Sequence, residues 1–386
     1  MTSWKTYRLG DVCDYVTSRT TNIENYISTE NMLPNKGGVC TSSNVPSGAA
    51  VEYKVGDILI SNIRPYFQKI WQADCKGACS ADVLCIRANY KADSKYLYYL
   101  LSQQLFFDYV MAGAKGCKMP RGDKKQIMQW SISLPSLEEQ RRIAGILGAI
   151  DDKIENNRRI NTNLELQAQT LYKQWFVDNR KEDWERKPLS EIAEFIGGYS
   201  YKGNELVEAS STAMATIKNF ERKGGFKVEG FKDIVASPKL KAEQHAELFD
   251  ILVAHTDLTQ NADVIGNAEI LLTFGKYSDI IFSMDLVKVL PKCNFPYKYL
   301  LAALLKNPYF KAHCLGYVNG TTVLHMSKKA LPEYVVACPS NSEAEKMDGA
   351  FKAYYQKMAE ILQENETLAT IRDTLLPKLM NGEIKL

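Results

Sequence analysis

The sequence predicts an α+β protein made of two similar mixed α/β segments and two long helices that pair as an antiparallel coiled coil. Three observations predict this fold: a helix-capping signal that occurs twice, a heptad pattern of apolar residues after each signal, and landmarks shared by the segments that precede them. The predicted globular segments are residues 1–135 and 181–339, and the predicted helices are residues 136–180 and 340–386.

Each long helix begins with a serine that is followed three residues later by a glutamate, Ser136 with Glu139 and Ser340 with Glu343. In such a capping box, each of the two side chains satisfies a backbone N–H that the helix leaves unpaired. The apolar positions that follow alternate in steps of four and three, which is the seam of a coiled coil. The predicted seam is Ile143, Leu147, Ile150, Ile154, Asn161, Leu164 and Leu171, together with Met347, Phe351, Tyr354, Met358, Ile361, Asn365, Leu368 and Leu375.

The seam positions of the two helices lie 204 residues apart, and the pair of asparagines Asn161 and Asn365 matches as well. A short link, "NRKEDWERKP", joins the first helix to the second segment, and the second helix begins where that segment ends. The second helix is therefore expected to run back along the first, around a pseudo-twofold axis. Helices of about 40 residues would act as a ruler roughly 60 Å long.

The two globular segments repeat one another weakly, which predicts a duplicated domain and not a solenoid. Each is expected to hold short strands and one helix, about Ser94–Met111 in the first and Tyr297–Gly316 in the second. The matching landmarks, in the same order in both segments, are "LGDVCDYV" with "LSEIAEFI", "GDILIS" with "FDILVA", and "KKQIMQWSISLPS" with "KKALPEYVVACPS".

Local charge favours DNA as the ligand of the first segment in particular. Residues 1–135 carry 16 Lys and Arg against 11 Asp and Glu, whereas residues 181–339 carry 19 of each. Basic, glycine-rich loops suit contacts with phosphates and grooves, although a single surface charge can equally be only solvated. The predicted contacts are Lys115, Lys118, Arg121, Lys124 and Lys125 in the loop Gly113–Lys125, their counterparts Asn319, Thr321, Thr322, His325, Lys328 and Lys329 in the loop Gly316–Lys329, and Arg64, Tyr66 and Lys69 in "SNIRPYFQK".

No catalytic motif is found. The chain lacks a phosphate loop and a dinucleotide fingerprint, and the strings "NFPY" and "NPYF" each lack one proline of the motif that holds a flipped adenine in methyltransferases. Neither the histidines nor the cysteines follow a metal-ligand spacing. The chain is therefore expected to bind and not to react, without a cofactor or metal of its own. The absence of a long apolar run and of a secretory start favours a cytoplasmic protein.

The chain resembles the specificity subunits of Type I restriction–modification systems. Two stretches carry most of the resemblance: "SLPSLEEQRRIAGILGAIDDKIENNRRINTNLELQAQTLYKQWF" (Ser133–Phe176), which is similar to the central region of that family, and "NETLATIRDTLLPKLMNGEIKL" (Asn365–Leu386), which is similar to its C-terminal region. The similarity covers essentially the whole chain, but the second helix departs from the usual pattern because it begins "PSNSEAEK".

The resemblance implies that each globular segment is a target-recognition domain that reads one half of a gapped, bipartite site in double-stranded DNA. It implies two methyltransferase subunits that use S-adenosylmethionine, and two restriction (motor–nuclease) subunits that use ATP and Mg²⁺. By position in the family, the loops after the first strands would also contact DNA, which adds Arg19, Tyr199 and Lys202 to the candidates.

Two other functions are compatible with the sequence. A coiled-coil scaffold could join two protein partners without DNA binding, and the basic loop of the first segment argues against it. The specificity subunit of a related system outside Type I would have the same architecture. Salt-dependent DNA affinity separates the first alternative from a DNA-binding protein.

Overall fold

A computed structural model describes residues 4–42 and 44–386 of the chain. It divides into two compact units, the first made of residues 1–154 with 368–386 and the second of residues 155–367. Each unit thus combines one globular segment with parts of both long helices.

Unit 1 is built on a four-stranded antiparallel sheet in the order β2-β8-β5-β6, beside a three-stranded sheet β3-β4-β7 and the pair β1-β9. Its strands are β1 (Lys5–Arg8), β2 (Cys13–Tyr15), β3 (Arg19–Thr20), β4 (Ala50–Tyr53), β5 (Ile58–Ser61), β6 (Ile70–Gln72), β7 (Gly77–Cys79), β8 (Val83–Ala88) and β9 (Ser131–Leu134). Its helices are α1 (Ser94–Leu101), α2 (Gln104–Ala112), α3 (Lys124–Met128) and the first part of the long helix α4 (Leu137–Lys173).

Unit 2 contains the rest of α4, which ends in a wider helical turn over Gln174–Asp178. Its strands are β10 (Glu185–Pro188), β11 (Ala193–Gly197), β12 (Thr212–Ala215), β13 (Lys232–Asp233), β14 (His245–Ala246), β15 (Ile251–Ala254), β16 (Thr256–Asp257), β17 (Ala268–Ile270), β18 (Asp279–Phe282), β19 (Leu286–Pro291), β20 (Val318–Asn319), β21 (Leu324–Met326) and β22 (Val335–Cys338). Its helices are α5 (Leu189–Ile192), α6 (Lys298–Leu305), α7 (Pro308–Leu315), α8 (Ala330–Glu333) and most of the long helix α9 (Asn341–Met380).

The sheets show the internal duplication directly. The order β11-β19-β15-β17 in unit 2 matches β2-β8-β5-β6 in unit 1, strand for strand. The central strands β5 and β15 are buried at every position. A buried aspartate precedes each of these strands. Asp57, before β5, is ion-paired to Arg87 at 2.7 Å, and Asp250, before β15, is ion-paired to Lys298 at 2.8 Å. The α+β fold predicted from the repeat is therefore confirmed.

The single helix predicted in each globular segment is broken into two, α1 and α2 in unit 1 and α6 and α7 in unit 2, so this prediction was wrong. In unit 2 the break follows from Asn307, whose Oδ1 accepts the N–H groups of Tyr309 and Phe310, and from Pro308, which can begin a helix but not continue one. In unit 1 the hydroxyl of Ser102 donates to the carbonyl of Tyr98 at 2.7 Å, and α1 ends there.

The long helices run antiparallel, as predicted. In unit 2, Asn157 contacts Asn365 and Asn161 contacts Met358, so residue numbers fall along α9 as they rise along α4. In unit 1, Asp151 of α4 lies 2.9 Å from Arg372 of α9. Every predicted seam residue is buried or half-buried within its own unit.

The capping boxes each show one half of the predicted reciprocal pattern. The hydroxyl oxygen of Ser136 accepts the N–H of Glu139 at 3.2 Å. In the second box the carboxylate of Glu343 accepts the N–H of Ser340 at 3.2 Å. Glu343 also accepts from Lys181 and from Trp184 Nε1, so the link after α4 is fastened to the start of α9 within unit 2.

Candidate nucleic-acid interface

In unit 1, two of the predicted DNA-binding segments meet at Arg121. The backbone groups of Arg121 and Lys115 exchange two hydrogen bonds of 2.9 Å, which closes the loop on itself. Arg121 also forms a β-bridge with Ile63, and the N–H of Arg64 donates to the carbonyl of Pro120 at 2.8 Å. The basic loop and the segment "SNIRPYFQK" therefore lie side by side and form one small surface.

This surface of unit 1 is positively charged, but part of its charge is paired. Arg121 lies 3.2 Å from Asp82, and Lys115 lies 3.0 Å from Asp123. The pKa of Asp123 is lowered mainly by the hydrogen bond from Lys115, and hydrogen bonds from backbone N–H groups of α3 lower it further. Two further lysines of the loop, Lys118 and Lys125, are exposed. These exposed lysines can pair with DNA phosphates without first breaking an ion pair.

A groove of about 370 Å³ continues this surface on the side of Arg19 and Lys124. Both cations line it, and Lys124 Nζ lies 6.0 Å from the centre of the Tyr15 ring. Arg19 is exposed and donates to the carbonyl of Ala49 at 3.1 Å. Lys124 belongs to the first turn of α3, together with Lys125, where the sequence had predicted only loop. The rest of the lining is mostly apolar: Val16, Val51, Ala81, Val83, Leu84 and Cys85, with Thr17.

Unit 2 repeats the arrangement of unit 1 around His325. His325 pairs with Asn319 in the hairpin β20–β21, as Arg121 pairs with Lys115. It also pairs with Thr256, as Arg121 bridges to Ile63. The two loops that the sequence alignment equated therefore have the same backbone pairing, with Arg121 and His325 at equivalent central positions.

The two surfaces differ in chemistry. The loop of unit 2 presents mainly uncharged donors and acceptors, with the exposed side chains of Asn319, Thr321, Thr322 and His325, followed by Lys328 and Lys329. Gln260 holds this hairpin through a hydrogen bond of 2.6 Å to the carbonyl of Thr321. Burial lowers the pKa of the adjacent His255, and His325 and Lys328 lower it further. Amide, hydroxyl and imidazole groups can read base edges, whereas the lysines suit phosphates.

Two of the predicted DNA contacts, Tyr199 and Lys69, instead bond to groups within their own units. Tyr199 is only 3% exposed, and its hydroxyl donates to Glu205 at 2.7 Å, so this residue is removed from the candidate DNA contacts. In the same loop the neighbouring Lys202 is exposed and stays a candidate. Lys69 donates to the carbonyl of Thr29 at 2.7 Å, and burial lowers its pKa, so its ammonium group helps to hold unit 1 together.

Sequence reasoning missed the segment after β15. Thr256 and Asp257 form β16 and join the hairpin of the second loop, at the position that Ile63 and Arg64 occupy in unit 1. The aligned landmarks "GDILIS" and "FDILVA" contained the signal, because extending the alignment by three residues places Asp257 opposite Arg64.

Searches for a metal site and for a membrane span found neither in the part of the chain that the structure describes. Within residues 4–42 and 44–386, no group of three His, Cys, Asp or Glu side chains is arranged to hold a metal ion. In the same ranges no helix combines the length and apolar character needed to cross a membrane.

Comparisons with known proteins agree with the architecture. Residues 1–166 match the family described as Type I restriction modification DNA specificity domain. The chain is 26% identical to the Type I restriction enzyme HindI specificity subunit of Haemophilus influenzae, in an alignment that covers 100% of both chains. It is 25% identical to the MjaIX specificity subunit of Methanocaldococcus jannaschii, over 76% of this chain and 69% of that relative.

A solved structure supports the fold. The Type I restriction–modification S subunit from M. genitalium superposes with a TM-score of 0.56 at 19% identity, covering 98% of this chain and 96% of that one. At this identity the likeness shows the shared fold alone. The family match and the full-length relative confirm the predicted resemblance to specificity subunits of Type I systems.

Proposed function

We propose that this chain is the specificity subunit of a Type I restriction–modification complex, and that each unit reads one half of a gapped, bipartite DNA site. The observation that carries the proposal is the repeated surface around Arg121 and His325. A duplicated backbone arrangement with different side chains suits two readers of similar build and different sequence preference. The ruler role predicted for the long helices is retained as part of this proposal.

The charge of the two surfaces supports DNA as the ligand. Unit 1 combines exposed lysines with Arg64 and Arg121, and unit 2 combines Lys328 and Lys329 with uncharged polar side chains. Lysine contacts supply affinity through counterion release, while arginine, asparagine and histidine side chains can discriminate base edges. The same surface in each unit can thus hold the backbone and read the sequence.

The catalytic steps are proposed to belong to partner subunits. Two methyltransferase subunits would use S-adenosylmethionine to methylate one adenine in each half-site, and they would take that base out of the stack to reach it. Two restriction subunits would use ATP and Mg²⁺. This chain would contribute DNA recognition and the assembly surface, without a cofactor of its own.

The proposal is tested by mapping methyladenine in DNA from cells that express the neighbouring methyltransferase gene with and without this chain. We expect methylation of one gapped motif that appears only when this chain is present. A stable complex with no new methylation would favour the coiled-coil scaffold. Co-purification could instead show that methylation and cleavage do not reside in separate methyltransferase and restriction subunits. That result would favour a related system outside Type I.

A further inference from the structure

We propose that each unit carries an apolar wedge that enters the DNA and unstacks a base step beside its reading surface. The wedge of unit 1 is Tyr66 with Phe67, and the wedge of unit 2 is Leu258. This inference rests on the proposed function and deepens it, because it assigns a deforming role to residues that are distinct from the polar readers.

The wedge of unit 1 sits on a tight turn that projects its two rings into solvent. Tyr66 is 49% exposed and Phe67 37%, and their ring centres are 4.6 Å apart. The turn is bounded by Arg64 and Gln68, which both have φ of 50°, in the left-handed region that residues other than glycine rarely adopt. Such backbone conformations persist only where the surroundings impose them, and they cluster at functional sites.

Backbone hydrogen bonds fix this turn of unit 1 from both sides. The N–H of Asn35 donates to the carbonyl of Phe67 at 2.8 Å, and the N–H of Lys36 donates to that of Gln68 at 3.0 Å. On the other side, Arg64 donates to Pro120 of the basic loop. The aromatic rings are thus presented by a rigid backbone, which lowers the entropy lost on binding.

Unit 2 has an exposed apolar residue in the corresponding turn, but one position earlier: the alignment that pairs Arg64 with Asp257 places Leu258 opposite Pro65. The turn is also built differently. Leu258 follows β16 directly and is 65% exposed. The buried carboxylate of Asp257 fixes the turn by accepting the N–H of Thr259 at 2.7 Å and that of Val264 at 2.8 Å. Both units thus place an exposed apolar side chain in the turn after the central strand, beside the loop, although at different positions of that turn. This shared placement points to a role for these side chains.

DNA is the partner that fits both turns, because each turn is continuous with a surface of cationic and polar residues. Arg64 precedes the rings of unit 1 and pairs with the loop that carries Lys118. In unit 2, Gln260 joins the Leu258 turn to the hairpin of His325. Proteins that deform DNA combine such cations with apolar side chains that enter between base pairs. Unstacking would lower the cost of extracting the neighbouring adenine for methylation.

The test uses the complete complex with its methyltransferase subunits, and duplexes that contain the gapped site found by methylation mapping. The wedge variants are the double substitution Y66S/F67S and the single substitution L258S. Each has a matched control at the opposite end of the same central strand: V55S before β5, where Val55 is 68% exposed, and L248S before β15, where Leu248 is 44% exposed. Phe67 is only 37% exposed, so the melting temperature of each variant is compared with that of the unaltered complex before binding is measured.

The readout is the fluorescence of 2-aminopurine placed in each half-site at positions other than the methylated adenine. We expect the unaltered complex to raise fluorescence in both halves, Y66S/F67S to abolish the rise in one half, and L258S to abolish it in the other. Each variant should weaken binding about tenfold, as expected for the loss of one base-stacking side chain. The two controls should leave the rise and the affinity unchanged.

Three results would overturn the wedge. One is binding of the gapped site by the unaltered complex without any fluorescence rise outside the methylated adenines. Another is an unchanged rise in the wedge variants. The third is a loss of the rise that is accompanied by loss of the co-purifying methyltransferase, which would make these residues a protein contact. Failure of the unaltered complex to bind the gapped site would instead overturn the proposed function, and the wedge with it.

Discussion

Asn157 of α4 donates a hydrogen bond of 2.9 Å from Nδ2 to Oδ1 of Asn365 in α9, within the seam of unit 2. The same nitrogen donates to Glu364 Oε2 at 2.7 Å, and Asn157 is only 1% exposed. One turn further along α4, Asn161 donates to the carbonyl of Met358 at 3.2 Å. A buried polar contact has few alternative partners in an apolar seam, so it selects one register at some cost in stability.

Replacing only Asn157 should lower the stability of the fold more than replacing both Asn157 and Asn365. We expect Asn157→Ala to lower the free energy of unfolding by about 1–3 kcal/mol, because Asn365 loses a partner inside the seam. The double variant N157L/N365L should be close to the unaltered protein or more stable. Urea unfolding measures both, with the exposed Asn163→Ala on the same helix as control. A double variant as unstable as the sum of the single variants would contradict this account.

Lys306 connects the globular part of unit 2 to α4 through a buried ion cluster. Its Nζ lies 2.5 Å from Glu269 and 2.7 Å from Glu165 of α4. Burial opposes the charge of Lys306, but the two carboxylates outweigh it and raise the pKa of the lysine. Lys306→Met should cost about 3–5 kcal/mol, because it leaves buried carboxylates without their cation.

The matched control for Lys306 is the surface ion pair of Lys357 with Glu360, which are 3.1 Å apart. Lys357→Met should cost less than about 1 kcal/mol, because water screens exposed pairs. Thermal unfolding of both variants makes the comparison. Equal losses in the two variants would show that the Lys306 cluster contributes no more than a surface pair.

Glu343 should make the stability of the protein depend on pH in the acid range. The hydrogen bond from Lys181, followed by those of Ser340, lowers the pKa of Glu343 from 4.5 to about 2. A carboxyl group with a lowered folded-state pKa stabilises the fold above its unfolded pKa, and this stabilisation is lost as pH falls from about 4.5 to 2. The difference in melting temperature between the unaltered protein and Glu343→Gln should therefore shrink as pH falls through that window. The same substitution at the exposed Glu345 is the control, and a pH-independent difference would argue against the mechanism.

DNA affinity should depend on salt through the exposed lysines of unit 1. Neutralising Lys118 and Lys125 with alanine should reduce the slope of log affinity against log salt by about one per lysine. The matched control is the pair Lys54→Ala with Lys76→Ala, two exposed lysines of unit 1 outside the candidate surface. A slope unchanged by K118A/K125A, measured by fluorescence anisotropy at several salt concentrations, would exclude these lysines from the phosphate contacts.

The long helices were predictable because their signals are local and occur twice. The heptad steps around Ile143 and Phe351 depend only on helical periodicity, and the repeated capping serines fix where each helix begins. The break between α6 and α7 also has a local sequence signal, because Asn307 is a helix-capping residue and Pro308 favours the first turn of a helix. The prediction of one continuous helix did not use this signal. The break at Ser102 has no comparable sequence signal.

The candidate surfaces were only partly predictable, because they depend on contacts between distant parts of the chain. The basic loop was evident from composition, but its pairing with Ile63 joins residues far apart in sequence. The burial of Tyr199 has the same kind of origin: its ring packs with Ile234 and Ile281, and the hydroxyl of Ser237 lies 2.8 Å from the tyrosine oxygen. Neither relationship can be derived from local propensity.

If the two equivalent surfaces read separate halves of one site, methylation mapping of two single variants should show it. Arg121→Ala and His325→Ala alter the central residues of the two surfaces, which are both exposed. Loss of one good base contact costs about 1–3 kcal/mol of discrimination. We expect Arg121→Ala to relax the methylated motif in one half only and His325→Ala to relax it in the other half only. Relaxation of the same half by both variants, or of both halves by either one, would contradict it.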